Sequence, residues 1–183
     1  MECSDLTVGE ISTLSEFPRK EIKKYIDTKV VSAQKSNGKY LLPKEAVLFF
    51  SVIGNEDIKD SPKNFKKAIW KTLQNLLDPT EVVHVEGKDI HLDPTIKDLL
   101  KSTERYIQNR SEFLVENPRI LGGTPVIKGT RITAYSVRGW LKGEETIDNL
   151  VEEYPEIPPE AFEVAEFYAK SNPLRGRRKG LPI

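Results

Sequence analysis

The chain has 183 residues, 38% of them hydrophobic and 31% charged, and its formal net charge is zero. This length suits one domain or two small ones, and the lack of a long apolar run or a signal-like N-terminus argues against a membrane or secreted protein. The single cysteine, Cys3, excludes an internal disulfide. We therefore expect a cytoplasmic protein without a cofactor, in which Cys3 is a frayed terminal residue.

Residues 5–53 have the pattern of a small helical unit that contains a hairpin. "DLTVGEISTLS" repeats its apolar residues at a spacing of three, which predicts a short helix, and Pro18 fits the first turn of a second one. Asn37-Gly38 predicts a tight hairpin turn, and "PKEAVLFFSVI" follows as a third helix. This order is typical of a winged helix-turn-helix. We assign residues 1–77 to this winged helix-turn-helix domain, which then also includes the next predicted helix, "SPKNFKKAIWKTLQNLL".

Residues 78–112 are predicted to form a hairpin and then a helix. "VVHVEGKDIHL" alternates apolar and polar residues, and the helix begins near Asp93-Pro94. If the turn centres on Gly87-Lys88, His84 and His91 face each other across the hairpin. Two ligands are too few for a zinc site, so we predict no metal centre. The apolar positions expected on the buried face are Val83, Val85, Ile90 and Leu92.

Residues 113–172 begin with short apolar pieces separated by Pro and Gly and continue with three helical segments. The first part predicts a ribbon of two or three short strands. The run "LGGTPVIKGTRI" is not a phosphate-binding P-loop, because five residues separate Gly123 from Gly129 and the order is Lys-Gly-Thr. We expect Lys128 and Arg131 to be surface charges of the ribbon rather than ligand-binding groups.

The charges are segregated along the chain. Nine acids and no Lys or Arg lie between Glu144 and Glu166, and we expect them to form a solvated helix surface. Residues 173–183 hold four cations and no acid, with Pro and Gly on both sides, and are predicted to form a flexible tail. No catalytic motif is present, so we predict that the protein is not an enzyme.

The motif "GTPVIKGTRI" and the downstream "EYP" make the C-terminal block resemble a small domain-of-unknown-function family. The resemblance covers residues 113–172, and members of that family are largely VapB-like antitoxins of type II toxin–antitoxin pairs. It implies a helix-turn-helix-like trihelical domain that dimerises through the preceding β-ribbon, and a PIN-domain ribonuclease toxin as partner. The dimer contact would involve Pro125, Val126, Ile127 and Ile132.

The N-terminal block, with its "LTVGE" entry and its wing before the third helix, resembles the winged helix-turn-helix of MerR-like regulators. The resemblance implies that the second helix enters the major groove of DNA. Alternatively, the lysines of the second helix form a solvated helix face. Glu16 and Glu21 on the same segment would repel phosphate unless they are turned away. The candidate DNA-binding residues are Arg19, Lys20, Lys23 and Lys24 on the helix and Lys35, Lys39 and Tyr40 on the wing.

The basic tail is the predicted toxin-binding segment. PIN ribonucleases hold their metal with a cluster of carboxylates, and an arginine that enters this pocket could pair with them bidentately. Arg175 and Arg177 are the leading candidates for this role, with Arg178 and Lys179 at the rim. Alternatively, the tail adds non-specific affinity for nucleic acid.

The predicted fold is mainly α, and the predicted function is that of an antitoxin. It would inhibit a PIN-type ribonuclease through its C-terminal region and repress its own operon through the N-terminal one, with the toxin, operator DNA and a second copy as partners. A transcription regulator whose C-terminal domain only dimerises or senses a ligand is the first alternative. An RNA-binding or structural adaptor that uses the tail is the second.

Overall fold

The computed structural model describes residues 5–36, 38–75, 82–117 and 123–174. Its contacts divide the chain into two compact units, Met1–Ser111 and Glu112–Ile183. Over the described residues both units are mainly helical and their strands form small antiparallel sheets, which confirms the predicted fold class. No helix in these ranges is long and apolar enough to cross a membrane.

The first unit has the predicted order of helix, turn, helix, hairpin and helix. In chain order its described elements are β1 (Leu6–Thr7), α1 (Val8–Leu14), α2 (Arg19–Asp27), β2 (Gln34–Ser36), β3 (Lys39–Leu42), α3 (Glu45–Ile53), α4 (Glu56–Lys59), α5 (Lys63–Gln74), β4 (Val82–Val85), β5 (Lys88–His91) and α6 (Thr95–Phe113). The first three strands form one sheet in the order β1-β3-β2, and β3 is antiparallel to both neighbours. Both β1 and α4 were missed in the sequence, since they are too short to show a period.

The core of the first unit lies around α3, which is apolar on almost every side. Ile11 from α1, Ile22 from α2 and Phe49 from α3 have no exposed surface. Fully burying such a side chain stabilises the fold by about 1.5–3 kcal/mol. Helices of seven and nine residues, as α1 and α2 are, would be marginal alone. Packing against α3 therefore holds them in place.

The hairpin of β4 and β5 has the predicted buried face. Its turn lies one residue earlier than Gly87-Lys88, the turn on which the predicted pairing of His84 and His91 depended. Val85 is opposite Lys88, so the turn consists of Glu86 and Gly87, and both have the positive φ of a type I′ turn. His84 consequently faces Asp89, with 2.5 Å between Nδ1 and Oδ1, while His91 is opposite Val82. The supposed pairing of the two histidines was therefore wrong.

The long helix α6 begins where the sequence predicted. The carboxylate Oδ1 of Asp93 accepts hydrogen bonds from the N–H (2.8 Å) and the hydroxyl (2.6 Å) of Thr95. These two bonds lower the pKa of Asp93, because they favour its charged form. Residues 78–112, assigned in the sequence to a connector, lie in the first compact unit except for the last of them.

The second unit consists of the predicted ribbon and three helices. Its described elements are β6 (Leu114–Val115), β7 (Val126–Ile127), α7 (Ala134–Lys142), α8 (Ile147–Glu153) and α9 (Pro159–Ser171). The hydroxyls of Thr133 and Thr146 cap α7 and α8, and Pro159 fits the first position of α9. α9 is the central helix: Ala161, Phe162 and Ala165 are fully buried, and it contacts both α7 and α8.

The strand β7, which holds two of the residues predicted for the dimer contact, has hydrogen-bonding partners on both sides within the second unit. On one side it pairs with β6, placing Leu114 opposite Ile127. On the other, the N–H of Ile127 donates to the carbonyl of Ile132, and that of Ala134 to the carbonyl of Pro125. Val126 and Ile127 are 1% and 3% exposed. Their side chains therefore belong to the core of a single chain, as does buried Pro125, and Ile132 is half-buried.

Candidate nucleic-acid interface

Helix α2 presents three of its four predicted DNA-binding cations to solvent. Ile22 is fully buried and fixes which side of the helix faces the core. Lys20, Lys23 and Lys24 are all exposed, and the spacing of the first two puts them on one face. Arg19 is half-buried and has an interaction partner. The helix thus brings three lysines together on an accessible surface, with Arg19 at its start.

Acidic residues reduce the positive charge of this surface without cancelling it. Glu21 lies 3.6 Å from the ammonium of Lys24, and Asp27 is exposed close to the lysines of the same face. Glu16 is exposed in the turn before α2, where its φ is 55°. Four cations and two acids in Arg19–Asp27 leave α2 with a net charge of +2.

The hairpin of β2 and β3 is the segment predicted to be the wing, and it lies in the same unit. Lys35 and Lys39 are exposed, whereas Tyr40 is half-buried. The register places Lys35 opposite Tyr40, and its ammonium lies 5.9 Å from the centroid of that ring. Gly38, with a φ of 74°, makes the tight turn between the strands. The wing therefore supplies further lysines, and a tyrosine beneath one of them.

A buried ionic cluster, missed in the sequence, holds α1 against α6. Glu10 has no exposed surface, and one of its carboxylate oxygens accepts from the N–H of Thr7 in a capping box. Its other oxygen accepts from the hydroxyl of Tyr106 and, at 2.7 Å, from the guanidinium of Arg110. Arg110 also donates to the carbonyl of Asp5 at 2.8 Å. Every oxygen of this buried carboxylate therefore has a donor.

In the second unit, two tyrosines tie the ribbon and α7 to α9. Tyr168 donates to the carboxylate of Glu116 at 2.6 Å, and Tyr135 donates to the carbonyl of Asn172 at 2.8 Å. Burial, and secondarily the charge of Glu116, raise the pKa of Tyr135. The residues that precede the basic tail are thus anchored. The tail residues proposed to bind the toxin, Arg175, Arg177, Arg178 and Lys179, lie outside the described residues.

The remaining surface of the second unit is acidic. Most of the nine acids between Glu144 and Glu166 are exposed, as the sequence predicted. In the same unit the half-buried rings of Trp140 and Tyr154 stack with an interplanar angle of 13°. Lys128 and Arg131 are exposed on the ribbon. Within the described ranges, no three His, Cys, Asp or Glu side chains group as a metal site.

Comparison with known proteins gives a family match in the C-terminal region of the chain. Residues 114–169 match the family described as a protein of unknown function, DUF433. The uncharacterized protein y4eO of Sinorhizobium fredii (strain NBRC 101917 / NGR234) is 35% identical over 104 residues, or 57% of this chain and 47% of that protein. The chain therefore spans about half the length of this curated relative.

Among solved structures, the X-ray crystal structure of Rv2018 from Mycobacterium tuberculosis is similar over 87% of this chain and 95% of its own. The sequence identity is 15% and the TM-score is 0.33.

Proposed function

We propose that this chain is an antitoxin-type regulator whose first unit binds operator DNA. The observation that supports DNA binding is the set of exposed lysines on the second helix of a helix-turn-helix and on its wing. In such modules the second helix enters the major groove, and backbone contacts position it there. These lysines are Lys20, Lys23, Lys24, Lys35 and Lys39.

The second part of the proposal is that the C-terminal region binds and inhibits a PIN-domain ribonuclease. It is supported by the resemblance of residues 113–172 to VapB-like antitoxins and by the DUF433 match within that block. Arg175 and Arg177 would pair with the metal-binding carboxylates of the nuclease, with Arg178 and Lys179 at the rim. Inhibition would follow from occupation of the site, without turnover.

A transcription regulator without a toxin partner is the second candidate, and the distribution of charge favours it. The described lysines that suit DNA lie in the first unit, whereas the helices α8 and α9 of the second unit are rich in exposed acids. Such a surface would be repelled by phosphate. The second unit would then dimerise the protein or sense a ligand.

DNA binding can be tested by fluorescence anisotropy, with a duplex from the region upstream of the chain's own gene. Each of K20Q and K23Q should weaken binding and reduce the slope of log K against log salt by about 1, because each removes one phosphate contact. K97Q on α6 is the matched control, since Lys97 is also an exposed helical lysine. Unchanged affinity in K20Q and K23Q would contradict the proposal.

The antitoxin part can be tested by co-expression with the adjacent reading frame, with and without residues 173–183. A complex that is inactive on RNA and becomes nucleolytic when the tail is removed would support inhibition by Arg175 and Arg177. An inactive complex in both cases would move the inhibitory surface into residues 113–172. If no complex forms while DNA binding persists, the regulator without a toxin is the better description.

A further inference from the structure

A groove of about 730 Å³ lies beside α2 in the first unit. It is bounded by the turn between α1 and α2, by α2 itself, by the end of α3 and by α4 and the start of α5. From α2 it receives Glu21, Lys24 and Tyr25, but neither Lys20 nor Lys23, and Thr28 directly after the helix also lines it. Its size falls in the range of small-molecule sites, about 300–1,000 Å³.

Three aromatic rings make the apolar part of the groove. The centroid of Phe17 is 5.2 Å from that of Phe50 and 6.1 Å from that of Tyr25, and Tyr25 and Phe50 are 5.8 Å apart. Phe50 is fully buried beneath the other two, and Gly54 next to it contributes no side chain. Phe17 and Tyr25 meet at an interplanar angle of 75°, so a planar ligand could stack on one of these rings and contact the other with its edge.

Lysines from α4 and α5 line the groove at one end. The ammonium of Lys66 lies 5.5 Å from the centroid of Tyr25 and donates to the carbonyl of Lys59. Lys63 is the first residue of α5, whose N-terminus has neither a side-chain cap nor an acid in its first turn. Three ammonium groups thus accompany the positive end of a helix dipole, an arrangement that favours an anion.

The acids of the groove come from different elements. Glu16 lies in the turn before α2, and Glu21 is within 3.6 Å of Lys24. Four lysines and two acids among the described lining residues leave an excess of two positive charges. Lys59 also lies 3.6 Å from Glu56, which is outside the lining. Because no acid of the lining is paired with Lys59, Lys63 or Lys66, the anionic group of a ligand belongs at their end.

We propose that this groove binds a small organic anion that carries a planar aromatic ring. The ring packs between Phe17 and Tyr25, face on to one and edge on to the other, and the anionic group lies at the Lys59, Lys63 and Lys66 end. An acidic peptide without rings would satisfy the lysines but leave the aromatic surface exposed to water. Since Glu21 and Tyr25 also belong to the helix proposed to contact DNA, the ligand would change DNA affinity as well; that consequence alone rests on the proposed function.

Calorimetric titration of the full chain, without DNA, tests the binding itself. Naphthalene-2-sulfonate should bind saturably at one site, and the uncharged naphthalene-2-sulfonamide should bind about tenfold more weakly, because it cannot use the lysines. Methanesulfonate and an acidic peptide without rings should show no saturable binding. Equal affinity for the sulfonate and the sulfonamide, or for the sulfonate and the peptide, would overturn the assignment.

Matched lysine variants test the location. The double variant K59Q/K63Q should weaken naphthalene-2-sulfonate binding by about fivefold or more, whereas K67Q/K71Q, also exposed lysines of α5, should leave it unchanged. Equal effects of the two double variants would overturn the placement. Binding that follows this pattern while operator affinity does not respond to the ligand would keep the site and remove only its link to DNA.

Discussion

Glu10 shows how one residue can combine a local and a long-range role. Its place three residues after Thr7 makes it the acid of a capping box, which is readable from "LTVGE". Its burial, however, depends on Tyr106 and Arg110, which lie about a hundred residues further along the chain. A buried carboxylate is tolerated only when it is paired and hydrogen-bonded. No local pattern predicts these two partners, so the sequence indicates the capping box of Glu10 but not the residues that pair with its buried carboxylate.

We expect Arg110→Met to destabilise the first unit by about 3–5 kcal/mol, because it leaves the buried carboxylate of Glu10 without its cation. Urea unfolding can be followed by Trp70 fluorescence in a Trp140→Phe background, so that the first unit is reported. Arg105→Met is the matched control on the exposed face of α6 and should change the free energy of unfolding by no more than about 0.5 kcal/mol. Similar effects of the two substitutions would refute the structural role of the ion pair.

Tyr135→Phe should cost about 0.5–1.5 kcal/mol at neutral pH, because the hydrogen bond to Asn172 is lost. The pKa of Tyr135 is raised in the fold by burial and by Glu116, so its stabilisation is complete below its ordinary pKa of 10.0 and is lost as the pH rises through the folded value. The difference in the free energy of unfolding between the wild type and the variant should therefore disappear above about pH 10. Trp140 fluorescence in a Trp70→Phe background measures both free energies; a constant difference across this range would contradict the linkage.

At the scale of elements, helix ends were more predictable than strand neighbours. Thr133 and Pro159 mark helix starts through local chemistry, since a hydroxyl or a fixed φ satisfies the first turn. The start of α8 was expected at Glu144-Glu145, and the residue that caps it is Thr146. Whether β7 has an open edge depends on where Ile132 and Ala134 lie in space. The Gly and Pro residues of the sequence predicted the ribbon. The second neighbour of β7 is the loop around residues 132–134, whose sequence has no periodic pattern that would predict this contact.

The burial of β7 leads to a prediction about stability. Ile127→Ala should lower the free energy of unfolding of the second unit by about 2–5 kcal/mol, because it opens a cavity beneath α9 and β6. The neighbouring Lys128→Ala removes an exposed side chain and keeps the backbone N–H that bonds to Phe113, so it should have little effect. If Ile127→Ala instead left stability unchanged and altered the oligomeric state, the strand would be an intermolecular contact after all.

For the whole molecule, the exposure of the segregated acids was predictable from the sequence, but which charged and aromatic residues share one surface was not. Counting along the chain readily located the acids between Glu144 and Glu166, and their helices do expose most of them. The groove beside α2 could not be inferred in this way, because Phe17, Phe50 and Lys63 come from three separate elements. Local patterns predict which residues are exposed. Which exposed residues share a surface depends on how the elements pack.

The division of the chain gives the last prediction. The sequence-derived boundary at residue 77 removes α6, and with it both Tyr106 and Arg110, from the buried carboxylate of Glu10. Fragment 1–111, which ends at the unit boundary, should therefore unfold cooperatively in urea, whereas fragment 1–77 should not.

Fragment 1–94 separates the contribution of α6 from that of the preceding hairpin, because it retains β4 and β5 and lacks only the helix. We expect it to behave like 1–77, since neither strand contributes a donor to Glu10. Cooperative unfolding of 1–94 with the midpoint of 1–111 would mean that the buried carboxylate finds other donors, and α6 would then be dispensable for the first unit. Failure of 1–94 together with folding of 1–111 would establish α6 as the element that completes it.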